Sequence, residues 1–132
     1  MELQFKILGQ PFSKANSRKI VNFGGRPASI KSDKARNYEE IAREQFIKQM
    51  GRKSPLEKPV AVEITIYYPD RRQDLDPSLV LDIMQTKKDR KTGIEIFKGV
   101  YLNDRQVQEM HLFREIDKLN PRCEITVWEI GE

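Results

Sequence analysis

Cysteine, histidine and tryptophan occur once each in the 132 residues, as Cys123, His111 and Trp128. A single cysteine excludes an intramolecular disulfide, and one cysteine with one histidine cannot build a structural zinc site, so stability rests on packing. Long apolar runs are missing too. None approaches the ~18 residues of a membrane span, and the opening MELQFKILGQ has neither the basic n-region nor the apolar h-region of a signal peptide. A soluble, cytoplasmic protein with no membrane partner is the expectation. Hydrophobic residues make up 38% and charged residues 33% of the chain, more polar than an average globular domain yet with the aliphatic and aromatic content that disordered chains lack. The length fits one domain over residues 1–132. Lysine and arginine outnumber acids by 24 to 20, giving a net charge of +4 and a pI of about 9.2, which suits a polyanionic partner without requiring one.

The charge is unevenly distributed. Lys14, Arg18, Lys19, Arg26, Lys31, Lys34 and Arg36 face a single acid, Asp33, within residues 14–36, and the rest of the chain is slightly acidic. Such a segment neutralises phosphates by counterion release, although a solvated surface loop has the same composition.

Alternation of Leu3, Phe5 and Ile7 predicts a half-buried strand over 2–8, ended by Gly9-Gln10-Pro11. Two short β-rich stretches flank Gly24-Gly25 within 19–30 and predict a basic hairpin. Ser32 offers an N-cap for a helix whose Ala35, Tyr38, Ile41, Ala42, Gln45, Phe46 and Met50 share one side until Gly51. Residues 60–68 alternate strictly and predict a strand closed by Pro69. A second helix over 77–86 is expected, with Asp76 as N-cap, Pro77 in its first turn and Leu79, Val80, Ile83 and Met84 on its apolar side. The charged TKKDRKTG and the apolar IEIFKGVYL follow, then strands over 106–116 and 122–130 joined by a turn at Leu119-Asn120-Pro121. This order predicts an α+β domain with two helices and a mixed or mainly antiparallel sheet.

The chemistry concentrates in PDRRQDLDP, residues 69–77, between a strand and a helix start. In an extended D-x-D step the side chains of Asp74 and Asp76 point the same way. Two converging carboxylates repel, and a hard divalent cation relieves the repulsion; Mg²⁺ is typically held by one or two carboxylates with phosphate and water completing its octahedron. Arg71 and Arg72 beside such an ion would draw in a phosphodiester. The structural alternative is that Asp76 caps a helix while Asp74 pairs with a neighbouring arginine. An EF-hand is excluded, since Ser78 and Leu79 stand where its further ligand and glycine belong.

With YLNDRQVQEM about 30 residues downstream, PDRRQDLDP resembles the RusA-type Holliday-junction resolvases, small dimeric Mg²⁺-dependent endonucleases often encoded by phages and prophages. The resemblance extends to the early strand, Pro11-Phe12-Ser13 with Asn16, the basic segment and a helix carrying Tyr38. It implies a homodimer that cuts four-way DNA junctions by paired nicks. It also implies Mg²⁺, with Mn²⁺ as a substitute, and no organic cofactor. The family's acidic set falls on Asp74, Asp76 and Asp104 as metal ligands, and DNA contacts fall to Lys14, Asn16, Arg18, Lys19, Arg26, Lys31, Arg71 and Arg72. Without the pairing to D-x-D, Asp104 would be an ordinary turn residue after Asn103.

The chain departs from the family pattern at three positions. Asn103 replaces one acid of an Asp-Asp pair, Pro77 replaces an asparagine, and a functional lysine falls on Val80. These leave a catalytically impaired junction- or duplex-binding protein as the alternative. Lys87 or Lys88 would substitute for the lysine only if the helix brings it back. Asp82 is either a fourth acid or an exposed helix residue, and Phe23 either wedges into unpaired bases or packs its own hairpin. His111 reads as a packed or surface residue, and Trp128 and Cys123 as core or dimer-interface residues. Cys123 has no neighbouring base to make it a nucleophile.

Overall fold

The computed structural model describes residues 2–13 and 18–131. Four strands form the main sheet: β1 (Glu2–Leu8), β4 (Val60–Tyr68), β7 (Val107–Ile116) and β8 (Arg122–Glu129), in the order β1-β8-β4-β7. β8 runs antiparallel to both β1 and β4, and β4 runs parallel to β7. The sheet is thus mixed and mainly antiparallel. Two hairpins stand apart from it, β2 (Arg18–Phe23) with β3 (Arg26–Lys31), and β5 (Lys87–Lys88) with β6 (Glu95–Phe97).

Register places the alternating apolar residues on one face. Leu3, Phe5 and Ile7 sit opposite Val127, Ile125 and Cys123, which in turn oppose Val62, Ile64 and Ile66 of β4. All nine are buried, and they pack with Tyr38, Ala42, Phe46 and Met50 of helix α1 (Asp33–Met50) and with Leu79, Val80, Ile83 and Met84 of helix α2 (Ser78–Met84). Burying a side chain such as Phe46 or Ile64 stabilises the fold by ~1.5–3 kcal/mol, so this face dominates stability. The opposite face is uncovered, and its register neighbours Glu63, Thr65 and Glu124 meet water.

α1 starts where Ser32 Oγ accepts the Ala35 N–H at 3.2 Å, and it ends at Gly51 with φ 58°, the left-handed conformation that glycine adopts without strain. Gln45 and Gln49 do not enter the core. Their amides bond the backbone of Leu8 and Lys6, satisfying the free edge of β1. Ile41, expected on the apolar side, is half exposed.

α2 is shorter than expected. It begins at Ser78 with Pro77 in the cap position and ends at Met84, because Gln85 is already extended. Asp76 still acts on the helix start, its Oδ1 accepting the Ser78 N–H at 2.9 Å. The β5–β6 hairpin lies in the stretch whose sequence showed only a charged run followed by an apolar one.

Candidate active site

Two residues at the end of β4 and on β7 shape the acidic loop. The Tyr68 hydroxyl donates to the Asp74 carbonyl at 2.9 Å, and Arg114 Nη2 donates to the Gln73 carbonyl at 2.8 Å, its guanidinium 5.9 Å from the Tyr68 ring centroid. Upstream, Asp70 Oδ1 accepts the Arg72 N–H at 2.9 Å, turning the chain. Burial raises the Tyr68 phenol above its ordinary pKa, the Asp76 backbone bond partly opposing the shift, so this donor stays protonated through the neutral range. The loop is therefore held by its backbone, and the Asp74 carboxylate is exposed to solvent.

Asp104 sits on a one-turn 3₁₀ helix (Asp104–Gln106) capped reciprocally: Asn103 Oδ1 accepts the Arg105 N–H, and Gln106 Oε1 accepts the Asn103 N–H at 2.8 Å. A third amide ties this turn to α2. Gln85 Nε2 donates to Asp82 Oδ1 at 2.9 Å while Gln85 Oε1 accepts the Asp104 N–H at 3.1 Å. The two bonds fix which end of the Gln85 amide is which, because only the oxygen can accept and only the nitrogen can donate. Beneath them the buried Tyr101 hydroxyl donates to the Leu81 carbonyl at 2.6 Å. Burial first, and then the nearby carboxylates of Asp104 and Asp82, push this phenol far above its ordinary pKa.

Asp82 and Asp104 thus face one open cleft of about 570 Å³, whose other walls include Ser78, Arg18 and Lys31. Asp76 bonds Ser78 of that wall. Among the described residues, Asp74, Asp82 and Asp104 take part in no ion pair. No three carboxylate, histidine or cysteine groups among them already lie close enough to one another to hold a metal ion. The donors offered are exposed hard oxygens outside any ion pair among the described residues, Asp82 Oδ1 also accepting from Gln85. That set suits Mg²⁺, which keeps several waters and completes its shell from one or two carboxylates and substrate phosphate.

Of the anticipated DNA contacts, Arg18 and Lys31 line the cleft, while Arg26, Arg71 and Arg72 are exposed. Lys19 pairs with Asp33 at 3.1 Å and Lys31 with Glu39 at 2.5 Å, so both also fasten the β2–β3 hairpin to α1. Lys14 and Asn16 lie outside the described residues, as does the Phe23 side chain. A family model described as Endodeoxyribonuclease RusA matches residues 9–128. The chain belongs to the RusA family. RusA proteins are Holliday-junction resolving endodeoxyribonucleases and are generally metal-dependent, so an enzyme acting on branched DNA is the setting in which this cleft is read. No curated protein matches the chain significantly.

Within the RusA frame, Val80 is buried in the core at the position expected for the family lysine, and Asn103 is engaged as the cap of the Asp104 turn. The sequence pointed to Asp74, Asp76 and Asp104. It did not reveal Gln85, Tyr101, Tyr68 or Arg114, whose roles come from bonds across many residues or from the end of a strand that read simply as apolar. Asp82 did carry a signal, its place on α2, and the structure sets it beside Asp104. His111 lies exposed on β7 with Glu109 at 2.7 Å and Trp128 stacked 6.4 Å away on the open face of the sheet. Cys123 is in the core, where burial pushes its thiol up to about 12. No helix among the described residues is long and apolar enough to cross a membrane.

Proposed function

We propose that this chain is a Mg²⁺-dependent, structure-selective endonuclease that resolves four-way DNA junctions in the cytoplasm by paired symmetric nicks, each delivered by one subunit of a homodimer. Asp74, Asp76 and Asp104 hold the metal, with Mn²⁺ as a substitute. Lys14, Asn16, Arg18, Lys19, Arg26, Lys31, Arg71 and Arg72 contact the DNA backbone. One observation supports this reading above the others: Asp104 and Arg18 line a single open cleft whose wall also carries Ser78, the residue bonded to Asp76. Asp104, in no ion pair among the described residues and lining the same cleft as Arg18, suits a site that must take up a phosphodiester and a divalent ion together. When bound, the ion supplies an activated water and charge neutralisation at phosphorus.

The chain's own residues do the positioning. Tyr68 and Arg114 hold the loop backbone so that Asp74 stays in solvent, Gln85 holds the Asp104 turn, and Arg18 presents a planar fork suited to phosphate oxygens. Two copies about a two-fold axis, the commonest oligomer symmetry, are the simplest source of two symmetric cuts.

A second reading, a junction-binding protein without cleavage, is favoured by buried Val80 and by Asn103 being engaged as a cap. Cleavage of a labelled synthetic four-way junction and its linear duplex control, in Mg²⁺ and in EDTA, separates the two. Paired nicks on the junction alone, lost in EDTA and lowered at least ~100-fold in Asp74→Asn and Asp104→Asn, are expected if the ion contributes several kcal/mol to the barrier. Tight junction binding without nicks at any Mg²⁺ concentration would leave the second reading standing.

A further inference from the structure

The β5–β6 hairpin has no part in the site described above, and it is the most sharply charged element that remains. Lys87, Lys88, Arg90 and Lys91 are all solvent-facing, and among the described residues none of them forms an ion pair. Asp89 between them offsets one of the four charges, and Glu95 stands opposite Lys88 in the register, yet neither forms an ion pair with them among the described residues. Asp89 Oδ1 accepts the N–H groups of Lys91 at 2.7 Å and Thr92 at 3.1 Å, and these bonds keep its carboxyl below the usual range. The carboxylate is used to shape the turn, which is closed by Asp89 N–H to the Ile94 carbonyl at 2.8 Å and by Gly93 at φ 71°.

The next feature is apolar. Ile94 and Ile96 are 67% and 62% exposed, and residues two apart on an extended strand point to the same side. An isolated surface isoleucine is ordinary, but two side by side on a short hairpin framed by four free cations form an amphipathic tip.

The base of the hairpin is fixed next to the acidic cleft. Thr86 N–H and hydroxyl both donate to the Tyr101 carbonyl, at 2.9 and 3.1 Å, and Gly99 N–H donates back to Thr86 Oγ1 at 3.1 Å. Phe97 is buried at the other foot under the Arg43 guanidinium, 5.1 Å from its ring centroid. One residue before Thr86 stands Gln85, which bonds the backbone of Asp104. From Thr86 to Asp89, where the turn begins, the chain spans ~10 Å at ~3.3 Å per residue, which carries the basic turn away from the cleft toward a DNA arm leaving it.

We propose that the β5–β6 hairpin is a second DNA-contacting element, in which Lys87, Lys88, Arg90 and Lys91 hold backbone phosphates while Ile94 and Ile96 pack on bases left unpaired at the branch point. The proposal rests on the resolvase reading and deepens it. Cations set around an apolar wedge match the chemistry of a branched polyanion whose central bases are unstacked, and apolar side chains inserted at base steps are a recurrent way to grip distorted DNA. The two halves of the hairpin have separable effects: the cations serve any DNA, and the isoleucines serve only the branch.

The test is equilibrium binding of a four-way junction and of a linear duplex from about 50 to about 200 mM salt, in Ca²⁺ in place of Mg²⁺, with circular dichroism melts to verify folding. Three proteins are compared with the native one: the quadruple Lys87→Gln, Lys88→Gln, Arg90→Gln, Lys91→Gln; the pair Ile94→Ser, Ile96→Ser; and the control pair Lys6→Gln, Lys48→Gln at the β1 edge. The quadruple variant is expected to weaken both DNAs at least ~10-fold and to flatten the salt slope by up to about 3.6, close to 0.9 for each phosphate that is no longer neutralised. The isoleucine pair is expected to weaken junction binding ~10-fold and leave duplex binding and slope unchanged. Native binding with a quadruple variant that loses no more slope per charge than the β1-edge control overturns the hairpin while leaving the resolvase reading intact. A quadruple variant that changes subunit association but not DNA affinity places the hairpin at a protein interface and overturns it as well. A native protein that binds neither DNA overturns both this proposal and the reading beneath it.

Discussion

In the β2–β3 hairpin, Lys19 reaches Asp33 and Lys31 reaches Glu39, and Arg18 Nη2 donates to the Ser29 carbonyl of the facing strand; in the β5–β6 hairpin, Lys87, Lys88, Arg90 and Lys91 have no acidic partner among the described residues. The first read as a basic hairpin in the sequence, and the second only as a charged run followed by an apolar one. The first uses part of its charge to dock against α1, and the second fixes its turn with Asp89 and leaves its cations to solvent. An exposed ion pair adds little stability, typically up to ~1 kcal/mol, but it does lower the charge available to a phosphate. The density of positive residues along a chain is therefore a poor measure of where a polyanion is gripped. If the second hairpin contacts DNA as proposed, the unpaired cations are the better guide.

The two hairpins also differ in how they are attached, and this difference offers the largest test. Gly99 lies where the chain returning from β6 crosses the end of α2: a Cβ there would sit 2.6 Å from the Gln85 carbonyl carbon and from the Thr86 nitrogen, both backbone atoms that cannot move aside. Gly24, at the β2–β3 turn, has φ 56° and nothing within 4 Å of an added Cβ. Gly99→Val is expected to cost ~3 kcal/mol or more through overpacking, and Gly24→Ala only ~1–2 kcal/mol of left-handed strain. Urea unfolding of the two variants measures the gap. Equal costs would mean that the β5–β6 stem moves freely relative to α2.

A smaller effect is expected at the joint between the second hairpin and the cleft. Gln85→Leu removes one hydrogen bond to Asp82 and one to the Asp104 N–H, a loss of ~2 kcal/mol at ~1 kcal/mol each. Because Asp104 would then be held less firmly, the Mg²⁺ concentration for half-maximal cutting should rise while junction affinity in Ca²⁺ stays native. Gln85→Glu keeps an acceptor for Asp104 but sets a carboxylate against Asp82, so it should restore part of the stability and little of the metal response. Unchanged metal dependence in both variants would reduce Gln85 to a structural tie.

The sequence made much of the sheet legible, because strict alternation in 2–8 and 60–68 leaves one register face to bury. Ser32 and Gly51 marked α1 by cap chemistry. Three features were not legible. The pairing of β4 with β7 is parallel, and alternation carries no information about strand direction. The β5–β6 hairpin has strands of only two and three residues, too short to show a period, and it depends on stem bonds from Thr86 to Gly99 and Tyr101 that span 13 and 15 residues. The setting of Asp104 depends on Gln85, 19 residues away, a polar residue at a helix end with nothing local to distinguish it. The acids themselves were visible because the D-x-D step is local. The groups that hold them were not, because their bonds form only after the chain has folded.

The finest distinction between the hairpins turns on Lys31, which lines the cleft yet pairs with Glu39. Glu39 is 8% exposed, whereas the Lys31 side chain keeps about a third of its exposure, so removing the acid does not strand a buried cation. Glu39→Gln keeps the size of the side chain and an oxygen that can accept from Lys31, and it should cost only ~1 kcal/mol. In exchange the ammonium is free to turn toward Arg18 and the phosphate that the cleft is proposed to take. Junction affinity should rise roughly two- to threefold, and the salt slope should steepen by about 1. A steeper slope would show that ion pairing to α1 is what withholds the first hairpin's charge from DNA. A slope that stays native would mean that Lys31 serves α1 in both states, leaving the phosphate at the cleft to Arg18 and to the free cations of the second hairpin.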